Sequence, residues 1–240
     1  MDGDGAARFF SELCYCRRMR LPLFPLATSI FMAAAWSANA GTPEGFAPVD
    51  LKDGWKIAAK MKDVTIYSRP HPASHLKEFS AVGPIDATTR AVHAVIDDFE
   101  NYPRFMPFIV ESRVVKREGD SVIGYQRFSP KICADRDYTL RVWKTSWPAS
   151  DGPVFRSQWT SANEFGPPEK RGVVRVKVCN GTWLLEPDSA IRTRATYSVF
   201  TDTGGLIPAF LANYASQSGI SRLFEAVRKQ VKDPKYALAD

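Results

Sequence analysis

Histidine and cysteine are scarce: three and four residues respectively in a chain of 240. The scarcity excludes a disulfide scaffold and leaves little material for metal binding or nucleophilic catalysis. His71 and His75 sit in a proline-interrupted turn with no third histidine or cysteine nearby, which reads as a solvated turn rather than a metal site. His93 falls beside the apolar stripe of a helix and reads as a boundary residue. There is no G-x-S-x-G elbow, no G-x-G-x-x-G after a strand, no Walker loop and no H-E-x-x-H. Neither metal nor cofactor is expected. The net charge of +6 is spread thinly, with no block of five or six basic residues. That pattern argues against nucleic acid and permits loose, transient contact with anionic membrane surfaces. Internal repeats, interdomain linkers and low-complexity tracts are also missing.

The uncharged apolar run Leu21–Trp36 is interrupted by Pro22 and Pro25 and falls short of the roughly 20 residues a bilayer core requires. Arg17, Arg18 and Arg20 precede it, and Ala38-Asn39-Ala40 followed by Gly41 supplies the small residues that signal peptidase accepts. Residues 1–40 therefore read as a cleavable signal peptide cut after Ala40, and the protein as exported, to a periplasm. A retained anchor is the competing reading, and Met19 is an alternative start. Cys14 and Cys16 would leave with this segment, while Cys133 and Cys179 would remain in an oxidising compartment where a disulfide could persist, although their places on different strands favour two buried, unpaired thiols.

Beyond residue 40 the chain is rich in strand formers. Residues 41–53 form a polar, flexible lead-in, residues 54–234 one domain, and 235–240 a tail. Val64–Ser68 and Leu76–Val82 read as strands separated by Pro70, Pro72 and Ser74. Asp86 or Thr88 can cap a helix whose apolar positions Val92, Val95, Ile96 and Phe99 recur at helical spacing. Tyr102–Phe108, with two prolines, reads as a bent aromatic connection. Three strand pairs come next: Ile109–Lys116 with Val122–Phe128, Tyr138–Trp147 with Val154–Ser161, and Val173–Leu185 with Ile191–Thr201. Hairpin-length links make them antiparallel. Asn180-Gly181-Thr182 matches a glycosylation sequon, and a bulge at Gly181 is the simpler reading. A long helix, with Pro208 in its first turn, closes the chain near Val231. The fold class is α+β: a curved antiparallel sheet of eight or nine strands around a long C-terminal helix.

That last helix is the most informative element. Ile220, Phe224, Val227 and Val231 share one apolar face, which toward the N-terminus takes in Leu206 and Phe210 but also Asn213 and Gln217. A helix that only filled a core would carry aliphatics there, because an unpartnered buried amide costs about 1–3 kcal/mol. Either the two amides bond to strand backbone or to each other, or this half of the helix roofs a cavity and they meet a ligand's polar group. The alternation in Tyr138–Val142 separates an apolar face from a basic one, as a strand lining a hollow interior requires. Tyr125 and Arg127 are candidates for orienting a polar end, and Arg192 and Arg194 are further possible inward cations.

Several short elements together resemble a START (StAR-related lipid-transfer) domain, within the helix-grip superfamily that also holds polyketide cyclases. They are Ser129-Pro130 followed by Cys133–Tyr138, Val174-Arg175 followed by Gly181-Thr182-Trp183 and Glu186-Pro187, Thr193–Tyr197, and Asp202–Pro208 followed by Asn213. The resemblance spans about Trp55 to Val231. It implies a helix-grip fold with a hydrophobic tunnel, a C-terminal lid helix and one lipid or sterol-like ligand, carried by a monomer without chemistry. Trp183, Tyr138 and Tyr197 become tunnel-wall candidates beside the residues already named. Arg136 matches the family's Arg-Asp element and reads as either a ligand contact or an ion pair with Asp137. Arg141, offset by one residue from the arginine of some relatives, receives no headgroup role. Loading would need the lid helix, or the segment between Phe165 and Arg171, to move aside. The alternative on the same fold is a cyclase- or hydrolase-type enzyme, which would need an acid–base pair facing the cavity.

Overall fold

The computed structural model describes residues 51–130, 133–202 and 209–237, with 209–215 as helix backbone. The signal segment, most of the lead-in, Leu206, and the side chains of Phe210 and Asn213 lie outside the described residues. So does the hypothesis that the two amides bond each other.

Among the described residues ten strands form one sheet: β1 (Lys56–Met61), β2 (Val64–Pro70), β3 (Lys77–Ile85), β4 (Ile109–Glu118), β5 (Ser121–Phe128), β6 (Asp135–Ala149), β7 (Gly152–Ser161), β8 (Val173–Arg175), β9 (Val178–Ser189) and β10 (Arg192–Asp202). Nine run in the antiparallel order β1-β2-β3-β10-β9-β7-β6-β5-β4, and β8 pairs in parallel with β6. The helices are α1 (Thr89–Asp97), α2 (Tyr102–Phe105), α3 (Ala209–Gln230) and α4 (Pro234–Ala237). All described residues fall in one unit, residues 41–240.

The hairpins stand where alternation and turn residues put them. Gly119, at φ 51°, takes the left-handed position between β4 and β5. Thr88 caps α1, its side chain accepting from the Ala91 amide, and Val92, Val95 and Ile96 are buried as the spacing requires. Phe99 instead starts a separate 3-10 turn, because the helix closes at Asp97.

Other expectations change. Val173–Leu185 is not one strand: the alternation from Val174 to Val178 breaks after Arg175, where Val176 donates its amide to the Asp137 carbonyl and is fully buried. Gly181 is not a bulge, since it pairs in register with Val199 and Trp159. Its missing side chain has another cause: a Cβ there would lie 2.3 Å from the Trp159 ring. Cys133 is exposed, and only Cys179 is buried. His71 is not simply solvated, because it stacks on Phe200 at 3.8 Å. Packing also continues past 234, with Tyr236 of α4 at 3 % exposure.

One face of the sheet packs against α3. Val64, Ile66, Phe79, Ala81, Leu185, Ala195 and Val199 join Ile220, Phe224 and Val227 in one apolar cluster. At about 25 cal/mol per Å² of apolar surface buried, this is the main stabilising layer.

Candidate functional site

Strand register sorts the candidate residues onto two faces. Residues opposite one another in an antiparallel pair share a face, and successive residues alternate. Tyr138 pairs with Gln126, Arg136 with Phe128, and Tyr197 with Trp183. Tyr138, Phe128, Trp183 and Tyr197 all pack with the α3 cluster, so this is the inner face. Tyr125 pairs with Thr139 and Arg127 with Asp137, which places both on the outer face. They do not line the space beneath α3, so neither can orient a ligand's polar end there. Arg194 faces outward opposite Glu186, and exposed Arg192 sits beside Asp86 and Asp188.

The same alternation separates Arg136 from Asp137, so the expected ion pair between them is not formed. Asp137 instead accepts from Arg175 Nε at 2.7 Å and Nη2 at 3.2 Å, and from the Tyr125 hydroxyl at 3.1 Å. Arg175 reaches it because β8 lies in parallel beside β6, a pairing 38 residues apart that no local pattern signals. Burial first, then the charge of Asp137, pushes the Tyr125 phenol up to about 12. Arg127 bonds Asp135 at 2.7 Å, and Arg141 bonds Glu118 at 2.6 Å while lying over the Phe165 ring. The outer cluster is a set of paired charges under residues 163–175.

The inner face has a tightly filled end and a looser one. Around Phe224 and Val227 the strands present Ile66, Ala81 and Leu185, all at 1 % exposure or less. Trp183 bridges the two ends, with its ring 5.4 Å from Phe224 and 4.8 Å from Tyr197. Beyond it Tyr197, Tyr138, Val142 and Phe128 are only half-buried although all point inward, and Gln217 on α3 is half-buried as well. Trp159 stands 5.7 Å from Tyr197, and Phe128 stands 5.8 Å from Tyr138. Burial pushes the Tyr138 and Tyr197 phenols and the Cys179 thiol upward, so all three are neutral near pH 7.

One hydrogen-bonded chain crosses this looser end. The Tyr138 hydroxyl donates to Gln126 Oε1 at 2.7 Å. Gln126 Nε2 donates to Ser112 Oγ at 3.3 Å, and Ser112 donates to the Phe99 carbonyl at 2.7 Å. Gln126 and Ser112 carry no sequence motif, although Gln126 is two residues from Phe128 and shares its face by strand parity alone. Arg136 is buried at 3 % exposure and donates from Nη1 to the Ala134 carbonyl and to Cys133, while its Nε has no partner. No cluster of metal-ligating side chains occurs among the described residues. The arrangement offers apolar and aromatic walls, a few neutral hydroxyl and amide groups, and one buried guanidinium.

A family model described as polyketide cyclase / dehydrase and lipid transport matches residues 85–228. The chain belongs to this family. An uncharacterised protein of Pseudomonas aeruginosa is 30 % identical over 170 residues, which cover 70 % of this chain and 82 % of that one. The mouse phosphatidylcholine transfer protein is 24 % identical over 178 residues, covering 73 % of this chain and 82 % of the relative. Among solved structures, a STAR-related lipid transfer protein from Xanthomonas axonopodis superimposes with a TM-score of 0.66 at 26 % identity, covering 75 % of this chain and all of that one. Human StAR-related lipid transfer protein 5 shares the fold, with a TM-score of 0.64 at 19 % identity over 75 % of this chain and 86 % of its own. These likenesses agree with the helix-grip architecture expected from the sequence, now with ten strands.

Proposed function

We propose that the chain binds one lipid molecule between the inner face and the first half of α3 and transfers it between membranes. The observation that carries this reading is the contrast along the inner face. One end is sealed, while the other keeps Tyr138, Tyr197, Val142 and Phe128 half-buried around a short polar relay. Apolar walls with a few directed polar groups are what a lipid-like ligand requires. The family and the phosphatidylcholine transfer and STAR-related lipid transfer proteins among its relatives favour a lipid over other hydrophobic cargo. Acyl or ring carbons would lie along Trp159, Trp183, Tyr197 and Val142. A polar end would meet the Tyr138–Gln126 pair or the Nε of Arg136.

The reading includes no covalent step. The inward hydroxyls are held neutral by burial, which suits hydrogen bonding and disfavours general-base work near pH 7. The signal-like N-terminus supports export to the periplasm, with the carrier acting there as a monomer that touches membranes transiently. The test is organic extraction of the protein purified from its native cells, followed by mass spectrometry. One lipid per chain, which the protein then moves between donor and acceptor vesicles, is the expected result. Protein that carries no lipid and takes up none from donor vesicles would overturn the proposal.

A further inference from the structure

We propose that the free edge of β1, together with the adjoining flank of α3, is a docking surface for anionic membranes. The inference deepens the carrier reading, on which it rests for its purpose, by naming where the carrier meets its bilayer.

Among the described residues β1 ends the sheet, and its exposed edge carries apolar side chains. Ile57, opposite Tyr67, is 53 % exposed and Met61, opposite Val64, 43 %, so the edge carries one apolar side chain on each face. Leu51, in the 3-10 turn that precedes the strand, is 61 % exposed. Lys56 and Lys60, both exposed, interleave with them. The next turn of chain brings the edge against α3, where Lys62 bonds Glu225 at 3.0 Å and Arg228 bonds Asp63 at 2.8 Å. Between them lies a surface cleft of about 360 Å³ lined by Lys62, Glu225, Arg228, Lys229 and Lys232. Of the four cations that line it, Lys62 and Arg228 are paired with Glu225 and Asp63, and Lys229 and Lys232 add positive charge beyond those two pairs. Aliphatic side chains flanked by lysines suit the boundary between acyl chains and anionic headgroups, with apolar tips immersed and ammonium groups at phosphate level. Each Lys or Arg held near such a surface raises partition about fivefold.

A second copy of the chain fits this edge less well. Pairing two β1 strands would oppose lysines, and the irregularity between Ile57 and Ala59 interrupts the ladder a partner strand needs. Contact through β1 would set the bilayer beside the second half of α3, where Glu225 and Arg228 tie the helix to the Lys62–Asp63 turn.

The experiment is flotation of the protein purified from its native cells, with phosphatidylcholine vesicles lacking or containing phosphatidylglycerol. The wild type is expected to float with the anionic vesicles and not with the neutral ones. The triple variant Lys60→Glu, Lys229→Glu, Lys232→Glu and the double variant Ile57→Ser, Met61→Ser should each lose at least about tenfold in partition. Lys170→Glu, on the loop before β8, should bind as wild type. Circular dichroism confirms that each variant is folded. Absence of wild-type binding to anionic vesicles, unchanged binding by both patch variants, or equal loss in Lys170→Glu would overturn the proposal. A wild-type dimer in sedimentation equilibrium that Ile57→Ser dissociates would assign the edge to a second copy and overturn it as well. Lipid content measured on the same preparations separates the two readings: floating without cargo defeats only the carrier, and cargo without floating defeats only this surface.

Discussion

Asp137 organises the outer face of β5, β6 and β8. It is 1 % exposed and takes three hydrogen bonds, two from Arg175 and one from Tyr125. Removing one member of a buried ion pair strands the other charge, at a cost of about 3–5 kcal/mol. Asp137→Asn is therefore expected to lower the unfolding free energy by about that amount in urea titration, and Arg136→Gln, whose partners are a carbonyl and a thiol, by less. Equal losses would mean that Arg136 and Asp137 act as one unit after all. Side-chain direction was legible in the sequence only where alternation was unbroken. Alternation alone places Tyr138, Leu140 and Val142 inward together, whereas the outward direction of Tyr125 and Arg127 is decided by their partners in β6, Thr139 and Asp137. The Arg175 partnership was illegible because it depends on a three-residue parallel strand. Gly181 invites a similar correction: its role is room for the Trp159 ring, so Gly181→Ala should overpack that contact and cost about 1–3 kcal/mol in the same titration.

At the level of elements, α1 is the piece whose stability should follow pH. His93 stacks on Phe155 at 4.2 Å, beside an open cleft of about 520 Å³ that Asp97, Asp98 and Lys235 also line. Burial, the largest influence, lowers the His93 pKa below 6.5, with Lys144 adding to the effect and Asp97 opposing it. Because the folded state binds this proton less readily than the unfolded chain, the contribution is fully present above about pH 6.5 and is lost as pH falls from there through the folded pKa. Unfolding followed from pH 8 to pH 5 should show declining stability, and His93→Gln should flatten that decline. In α3, Gly219 has open space where a Cβ would stand. Gly219→Ala should raise stability by about 0.5–1 kcal/mol in thermal melts, through helix propensity alone. Elements with strong local signals, the hairpins and α1, were legible from spacing. Strand β1, whose Lys56–Met61 contains two alanines and no β-branched residue except Ile57, was not, because only pairing with β2 makes it a strand.

For the whole molecule, the two ends of the inner face predict different responses to loss of cargo. The sealed end, from Ile66 to Phe224, is complete without a ligand and should hold the sheet and α3 together by itself. The looser end leaves aromatic surface on Tyr138, Tyr197 and Phe128 that a lipid would cover. A ligand bound only to the folded state adds RT ln(1 + [L]/Kd), about 2.7 kcal/mol at a hundredfold excess over Kd. Delipidated protein should therefore remain folded by circular dichroism but melt several degrees lower, and reloading with the extracted lipid should restore the original midpoint. Trp183 reports on the site directly, since it joins the sealed and looser ends through Phe224 and Tyr197. Its environment should change on reloading, while Tyr125, on the opposite face, stays as it was. Tyr197→Ala tests the same wall from the protein's side. The variant should lose most of the lipid-dependent rise in melting midpoint while its delipidated form still folds, and a rise as large as the wild type's would place the cargo elsewhere.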